Sequence, residues 1–194
     1  MSETLIKTER LRLRTWDAAD VDPFMAATNT PAVLRWLNGV QERPFYEAMR
    51  SRIDACQREH GHGFWIVERK ADGVILGFCG LKRVNAPGAP NPDAFEIGWR
   101  FREDAWGQGY AKEAAIGTLD HAFGPLGATE VIAMTVAGNR ASWGLMERLG
   151  MSRRADLDFT DTRFPDPGDL NPTIQYAMRA ADWPRARAAL EPGS

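Results

Sequence analysis

The chain has 194 residues, enough to bury one full core and too few for two. Its 24 Lys plus Arg against 26 Asp plus Glu leave a net charge of -2 without any basic block, which argues against nucleic acid as a partner. Cys56 and Cys79 lack CxxC spacing, so a disulfide scaffold or a structural zinc is not expected.

The opening MSETLIKTERLRLRTW carries charge every few residues and has no apolar run of the signal-peptide kind. Nowhere does an apolar run approach the ~20 residues of a membrane span, so a cytoplasmic protein with no membrane partner is expected. Within ETLIKTERLRLRTW, Leu11 and Leu13 alternate with Arg10, Arg12 and Arg14, the period of a half-buried strand. Asp17 then stands before AADVDPFMAAT as the cap of a helix. RPFYEAMRSRIDACQREHG predicts a second helix, with Phe45, Met49, Ile53 and Cys56 at helical spacing and Gly61 as its stop. GFWIVER and GVILGFCGLKRV predict two strands joined by a turn at Ala71, Asp72 and Gly73. After the Pro/Gly loop VNAPGAPNPD, AFEIGWRF is a further strand.

A helix over about Tyr110 to Phe123 is expected to pack through Ala114, Ala115, Leu119 and Phe123. The strand TEVIAMTV follows, then NRASWGLMERLG as a short helix closed by Gly150. SRRADLDF, the loop TDTRFPDPGDLNP and the strand TIQYAM come next. The terminal AADWPRARAAL makes a surface helix or frays. Helices interleave with strands that arrive partly as hairpins, so the expected class is mixed α/β of the α+β type rather than a doubly wound sheet.

The stretch DAWGQGYAKEAAIG places Gly107 and Gly109 directly before a helix. Without a Cβ both tolerate positive φ and let a ligand touch the main chain. The amides of Gly107 to Ala111 would then stand at a helix N-terminus as unsatisfied donors, a cradle for phosphate. The plainer reading is a tight turn. No GK[ST] follows, so this is not a Walker A loop, and a GxGxxG dinucleotide fingerprint is absent. About thirty residues on, a second strand ends in GNRAS at the mouth of another helix, with Asn139, Ser142 and Met146 on one face. Two helix N-termini after two consecutive strands suit one elongated ligand with phosphate at one end.

These segments together resemble the GNAT superfamily of acetyl-CoA-dependent N-acetyltransferases, and within it the branch of the ribosomal-protein-alanine N-terminal acetyltransferases. The opening strand TERLRLRTW, the coenzyme segment FEIGWRF…WGQGYAKEA, the helix NRASWGLMERLGM and the closing YAMRAADW match in order. The superfamily's pyrophosphate motif, Gln/Arg-x-x-Gly-x-Gly/Ala, maps onto Trp106, Gly107, Gln108, Gly109, Tyr110 and Ala111. Its first position departs as Trp106, a residue frequent in this branch. The resemblance implies one N-acetyltransferase domain over residues 1–194, with a coenzyme-binding core at about 94–150 and an acceptor side built from 17–60, 84–93 and 160–172. It implies a central mixed, mostly antiparallel seven-stranded sheet, splayed between its fourth and fifth strands and flanked by helices. It further implies acetyl-CoA as acyl donor, no metal, and an amine acceptor that is a peptide N-terminus or a small molecule. Homodimers are common in that branch.

The chemistry so implied needs a deprotonated amine, a fixed donor for the oxyanion, and stabilisation of the departing thiolate. In AFEIGWRF, Phe95, Ile97, Trp99 and Phe101 share one face and Glu96, Gly98 and Arg100 the other. Related enzymes often place a basic Glu at about the position of Glu96, which could take the proton directly or through a water. The plain alternative is a strand carboxylate paired with an Arg. Asp158, Asp161 and Asp169, in or near the late loop, could instead attract a cationic amine. The resemblance assigns the oxyanion and the pantetheine arm to main-chain groups of Trp99 to Phe101, provided that strand splays from VIAMTV.

Met146 stands where many members carry a proton-donating Tyr, and it suits core filling. Ser142 is where the branch tends to put a hydroxyl. Asn139 can cap the helix and touch the coenzyme with the same carboxamide. HGHG around His60 and His62 reads as a helix-ending turn rather than a metal site. Cys56 is expected to be buried, which argues against an acyl-cysteine route. The missing Tyr leaves a second class open, a non-catalytic acyl-CoA-binding or sensing module.

Overall fold

The computed structural model describes residues 2–190. The strands are β1 (Thr4–Lys7), β2 (Leu11–Arg14), β3 (Phe64–Arg69), β4 (Ile75–Arg83), β5 (Phe95–Phe101), β6 (Glu130–Val136), β7 (Ser152–Arg153) and β8 (Thr173–Arg179). The helices are α1 (Val21–Thr28), α2 (Arg43–His60), α3 (Tyr110–Phe123), α4 (Arg140–Arg148) and α5 (Trp183–Ala188). The sheet order is β1-β2-β3-β4-β5-β6-β8-β7. β5 runs parallel to β6, and the pairs β1/β2, β2/β3, β3/β4, β6/β8 and β7/β8 are antiparallel. No helix among the described residues is long and apolar enough to cross a membrane.

The mixed, mostly antiparallel sheet agrees with expectation, but it has eight strands among the described residues where seven were expected. The opening segment, read as one strand, is a hairpin of β1 and β2 turning through residues 8–10, where Thr8 N donates to Leu11 O (3.0 Å). Alternation of apolar and charged residues runs straight through that turn, so periodicity does not separate one strand from two.

The described chain forms two compact units. The first comprises the N-terminal segment through Lys82 together with Gly98–Thr118, and the second Arg83–Ile97 together with the chain from Leu119 onward.

In the first unit, Leu11 and Leu13 are fully buried on β2, while Arg12 and Arg14 reach across to Glu68 on β3 (3.0 and 3.1 Å). Asp17 and Asp20 form a capping box around the short 3-10 turn that leads into α1. Such a cap is worth about 1 kcal/mol. The core beneath α1 and α2 is aromatic, joining Trp16, Phe24, Tyr46, Ile66 and Phe78 among others. Phe64, Phe78 and Phe24 stack in sequence, with centroids 4.8 and 5.6 Å apart and planes within 4° and 12°. Gly98 makes room for this stack, since a Cβ there would lie 2.9 Å from the Phe64 ring. The helix α2 ends at Gly61, in the left-handed conformation (φ +72°), as its sequence predicts.

In the second unit, β6 pairs with β8 over its whole length, from Glu130↔Arg179 to Val136↔Thr173. Val84, Ile132 and Ala177 form a buried cluster with Ala89, Ala94 and Met134 against it. The loop 84–93 is held by Asn91, whose Nδ2 donates to Gln175 Oε1 (3.0 Å). Helix α5 is docked rather than frayed: Trp183 is 5% exposed and its indole donates to Asp120 Oδ1 (2.8 Å).

Candidate active site

The candidate residues fall in both units. In the first, β5 ends at Phe101, one 3-10 turn follows at Glu103–Ala105, and the chain passes through Trp106–Gly109 into α3. Gly107 (φ +71°) and Gly109 (φ +80°) both occupy the left-handed region, where a side chain is strained. The amides of Gly107, Gln108, Gly109, Tyr110, Ala111 and Lys112 make no hydrogen bond among the described residues. The first bond of the new helix is Glu113 N to Gly109 O (3.0 Å). A run of unpaired donors at the positive end of a 14-residue helix is chemically suited to a diphosphate.

Side chains from distant parts of the chain hold this loop open. Arg10 donates through Nη1 to Gln108 O (3.0 Å) and through Nε to Glu113 Oε2 (2.6 Å), and its guanidinium lies 4.4 Å from the Tyr110 ring centre. Glu113 Oε1 also accepts from Arg10 N (2.7 Å) and Thr8 Oγ1 (2.6 Å). Burial alone would raise the Glu113 carboxyl, but Thr8 and Arg10 together bring it below its ordinary 4.5. Trp106 is half exposed, and its indole donates to Phe101 O (3.0 Å), tying the loop back to the strand. The clamp of Thr8, Arg10 and Glu113 carries no signal in the sequence, because its partners lie about a hundred residues apart.

Trp99 and Phe101 sit on β5 as the alternation predicts, Phe101 buried and Trp99 partly so. Of the seven residues of β5, only Phe95, Glu96 and Ile97 pair with β6. Arg102 N donates to Leu76 O on β4 (2.9 Å). Peptide groups alternate between the two edges of a strand, so the amides of Trp99 and Phe101 point away from β4. The ladder to β6 is given by Phe95, Glu96 and Ile97 among the described residues.

In the second unit, Glu96 faces Ile132 in the β5/β6 ladder and is partly buried. The charge of Arg163 acts on it. Asn139 caps α4, its Oδ1 accepting from Ser142 N (3.4 Å), which leaves the carboxamide Nδ2 without a hydrogen bond among the described residues. The Ser142 hydroxyl is partly buried and likewise makes no hydrogen bond among the described residues. Met146 is 1% exposed and fills the core, as its sequence position suggests.

Two of the three late-loop acids are paired with arginines. Asp161 is 3% exposed and chelated by Arg163, whose Nε lies 2.9 and 3.1 Å from its two oxygens. Asp158 binds Arg153 Nη1 (2.7 Å) and accepts from Gln175 N (3.2 Å). Asp169 is exposed. The loops 84–93 and 160–172 touch each other: a Cβ at Gly88 would meet Thr160 O at 2.6 Å.

Cys56 is only half-buried, contrary to expectation; it is Cys79 that lies fully inside, its thiol pushed up to about 12 by burial. His62 is fully buried, with Nδ1 3.2 Å from Leu81 O, and no cluster of three or more possible metal ligands exists among the described residues.

A family model described as an acetyltransferase (GNAT) domain matches residues 10–152. The chain belongs to the GNAT acetyltransferase family. Its relative YkkB of Bacillus subtilis is 33% identical over 154 residues, which cover 77% of this chain and 86% of YkkB. The FsC-acetyl coenzyme A-N(2)-transacetylase of Aspergillus fumigatus is 34% identical over 130 residues, covering 64% of this chain and 53% of the fungal protein.

Among solved structures, the ribosomal L7/L12 α-N-protein acetyltransferase RimL shares the fold with a TM-score of 0.75 at 14% identity, over 92% of this chain and 95% of its own. This GNAT protein is therefore an acetyl-CoA-dependent N-acetyltransferase, with acetyl-CoA as its co-substrate.

Proposed function

We propose that this GNAT protein moves the acetyl group of acetyl-CoA to a primary amine by direct attack in a ternary complex, the whole chain serving as one acetyltransferase domain. The observation that carries the reading is the run of six unpaired amides from Gly107 to Lys112, bent open by two glycines at positive φ. In this reading the amides of Gly107, Gln108, Gly109, Tyr110 and Ala111 bind the diphosphate, while Trp106, whose own amide donates to Glu103 O (3.0 Å), lines the coenzyme with its half-exposed ring. The amides of Trp99 and Phe101 bind the pantetheine arm and stabilise the oxyanion.

Glu96 acts as general base, directly or through a water, because an ammonium has no lone pair for attack. Asn139 contributes its free Nδ2 to the coenzyme while its Oδ1 keeps capping α4. Ser142 supplies a hydroxyl to the departing sulfur. Two relatives bear names of amine acetylation, at an N(2) position and at a protein α-amine respectively, which supports an amine acceptor without deciding its size.

The test is thiol release from acetyl-CoA with the full chain against peptide N-termini and small amines. Turnover on at least one amine is expected. Tight coenzyme binding without turnover on any amine would instead favour a sensing module.

A further inference from the structure

Arg100, on β5 between Trp99 and Phe101, has its guanidinium inside the aromatic core of the first unit. The residue keeps 8% of its surface, and its Nε and Nη1 are sealed from solvent with no hydrogen-bond partner among the described residues. No salt bridge reaches it among those residues. Its charge faces two stacked rings, with Cζ 5.2 Å from the centre of Phe78 and 5.9 Å from that of Phe24. Tyr46 is fully buried in the same cluster, with its hydroxyl beside Thr28. The two are electrical neighbours: burial lowers the Arg100 pKa while the Tyr46 oxygen opposes that, and burial raises the Tyr46 pKa while Arg100 and a hydrogen bond with Thr28 oppose it.

This arrangement is chemically incomplete. Ring faces attract a guanidinium weakly compared with the cost of removing it from water, and a buried charge ordinarily has a counter-charge. Two other buried charges have one: Asp20 is held by Arg14, and Asp161 by Arg163. The unpartnered Nε and Nη1 leave donors on two edges of the guanidinium, and a carboxylate bound along either edge would supply the missing counter-charge.

The position along the chain matters equally. Arg100 lies between the two amides assigned above to the reacting carbonyl, and its side chain leaves the strand on the opposite face to those of Trp99 and Phe101. Loop 30–40 is tied to the end of β5. Asn29 closes that loop onto Gln41 through two hydrogen bonds (2.8 and 2.9 Å), and Thr30 bonds to Glu103 just beyond β5.

We propose that Arg100, with Tyr46, binds a carboxylate carried by the amine acceptor, so that the substrates are amines bearing a carboxylate a few bonds from the nitrogen. The proposal rests on the acetyl-transfer reading for its substrate, though not for its binding site.

Thiol release would be compared for free L-amino acids and the matching L-amino acid amides, and for tripeptides opening with Glu or with Gln. The expected result is that kcat/KM for the acid exceeds that for its uncharged partner by about 100-fold. In Arg100→Met the acid should lose about 100-fold and its uncharged partner far less. A preference confined to the Glu tripeptide places the carboxylate on a side chain, and one confined to free amino acids places it next to the amine; either upholds the proposal. Equal rates on acid and amide, or an equal loss on both in the variant, overturns it.

Removing an unpaired buried charge should leave the melting temperature of Arg100→Met unchanged or raised. Should that variant not fold, Arg100→Lys, which keeps the charge without the fork, takes its place. If no amine is acetylated at all, the transfer reading falls and calorimetry decides the site alone. Binding of N-acetyl-L-amino acids to the parent protein and not to the variant sustains it. Binding of neither, or of chloride only (an adventitious ion only), overturns it.

Discussion

Two strand-to-helix junctions, residues 101–111 in the first unit and 136–142 in the second, begin from the same local logic and finish differently. At the first, two glycines turn the chain and six consecutive amides are left without partners. At the second, Asn139 spends its side-chain oxygen on Ser142 N, so part of the helix end is satisfied internally. An uncapped helix N-terminus keeps its partial positive charge for a ligand, whereas a capped one keeps only side chains such as the Asn139 Nδ2 and the Ser142 hydroxyl. The expected division of labour is that the first junction controls coenzyme affinity, while Glu96 and the second junction control turnover.

The sharpest break of that division is Glu96→Gln. It should lower kcat by about 100-fold, most strongly near neutral pH, and leave the dissociation constant of acetyl-CoA nearly unmoved. An unaltered pH–rate profile would send the search for the base elsewhere.

Gly109→Val tests the other side. A β-branched residue at φ +80°, with its Cβ 3.4 Å from Arg10 Nη2, should cost about 2 kcal/mol. That corresponds to roughly 30-fold in coenzyme affinity by calorimetry. Undiminished affinity would make the glycines a plain bend.

Ser142→Ala should reduce kcat by about 10-fold at constant coenzyme affinity, because only a hydrogen bond to the leaving sulfur is lost. A rate equal to the parent's removes the hydroxyl from the mechanism.

The smallest expected effect concerns the clamp. The Glu113 carboxyl has its pKa depressed on folding, so its stabilisation is present above about 4.5 and is lost as pH falls through the folded value. Melting temperature should therefore fall more steeply on acidification below pH 4.5 in the parent than in Glu113→Gln. Parallel curves would show that the contact with Thr8 and Arg10 contributes nothing to stability.

Much of this was legible in the chain because the determinants are local. Gly107 and Gly109 announce positive φ through their missing Cβ, and Asn139 announces a cap by its place before an amphipathic segment. The alternation of AFEIGWRF put Arg100 opposite Trp99 and Phe101, and the stops of α2 and α4 were read from Gly61 and Gly150. The hairpin of β1 and β2 escaped because its turn keeps the strand's alternation. Asp161 was a candidate for steering the acceptor because its spacing says nothing about Arg163 closing on it as a chelate.

By itself, then, the sequence determined the order of elements, the class of fold and the free amides before α3, since each depends on the conformational freedom of neighbouring residues. Only the tertiary structure decided that Arg10 and Glu113 lock that loop, that Asp158 and Asp161 are spent on arginines, and that Arg100 lies unpaired among rings. Those outcomes depend on which faces meet. A one-dimensional pattern states that a face is apolar or charged, and the burial of its charges is set by whatever packs against it.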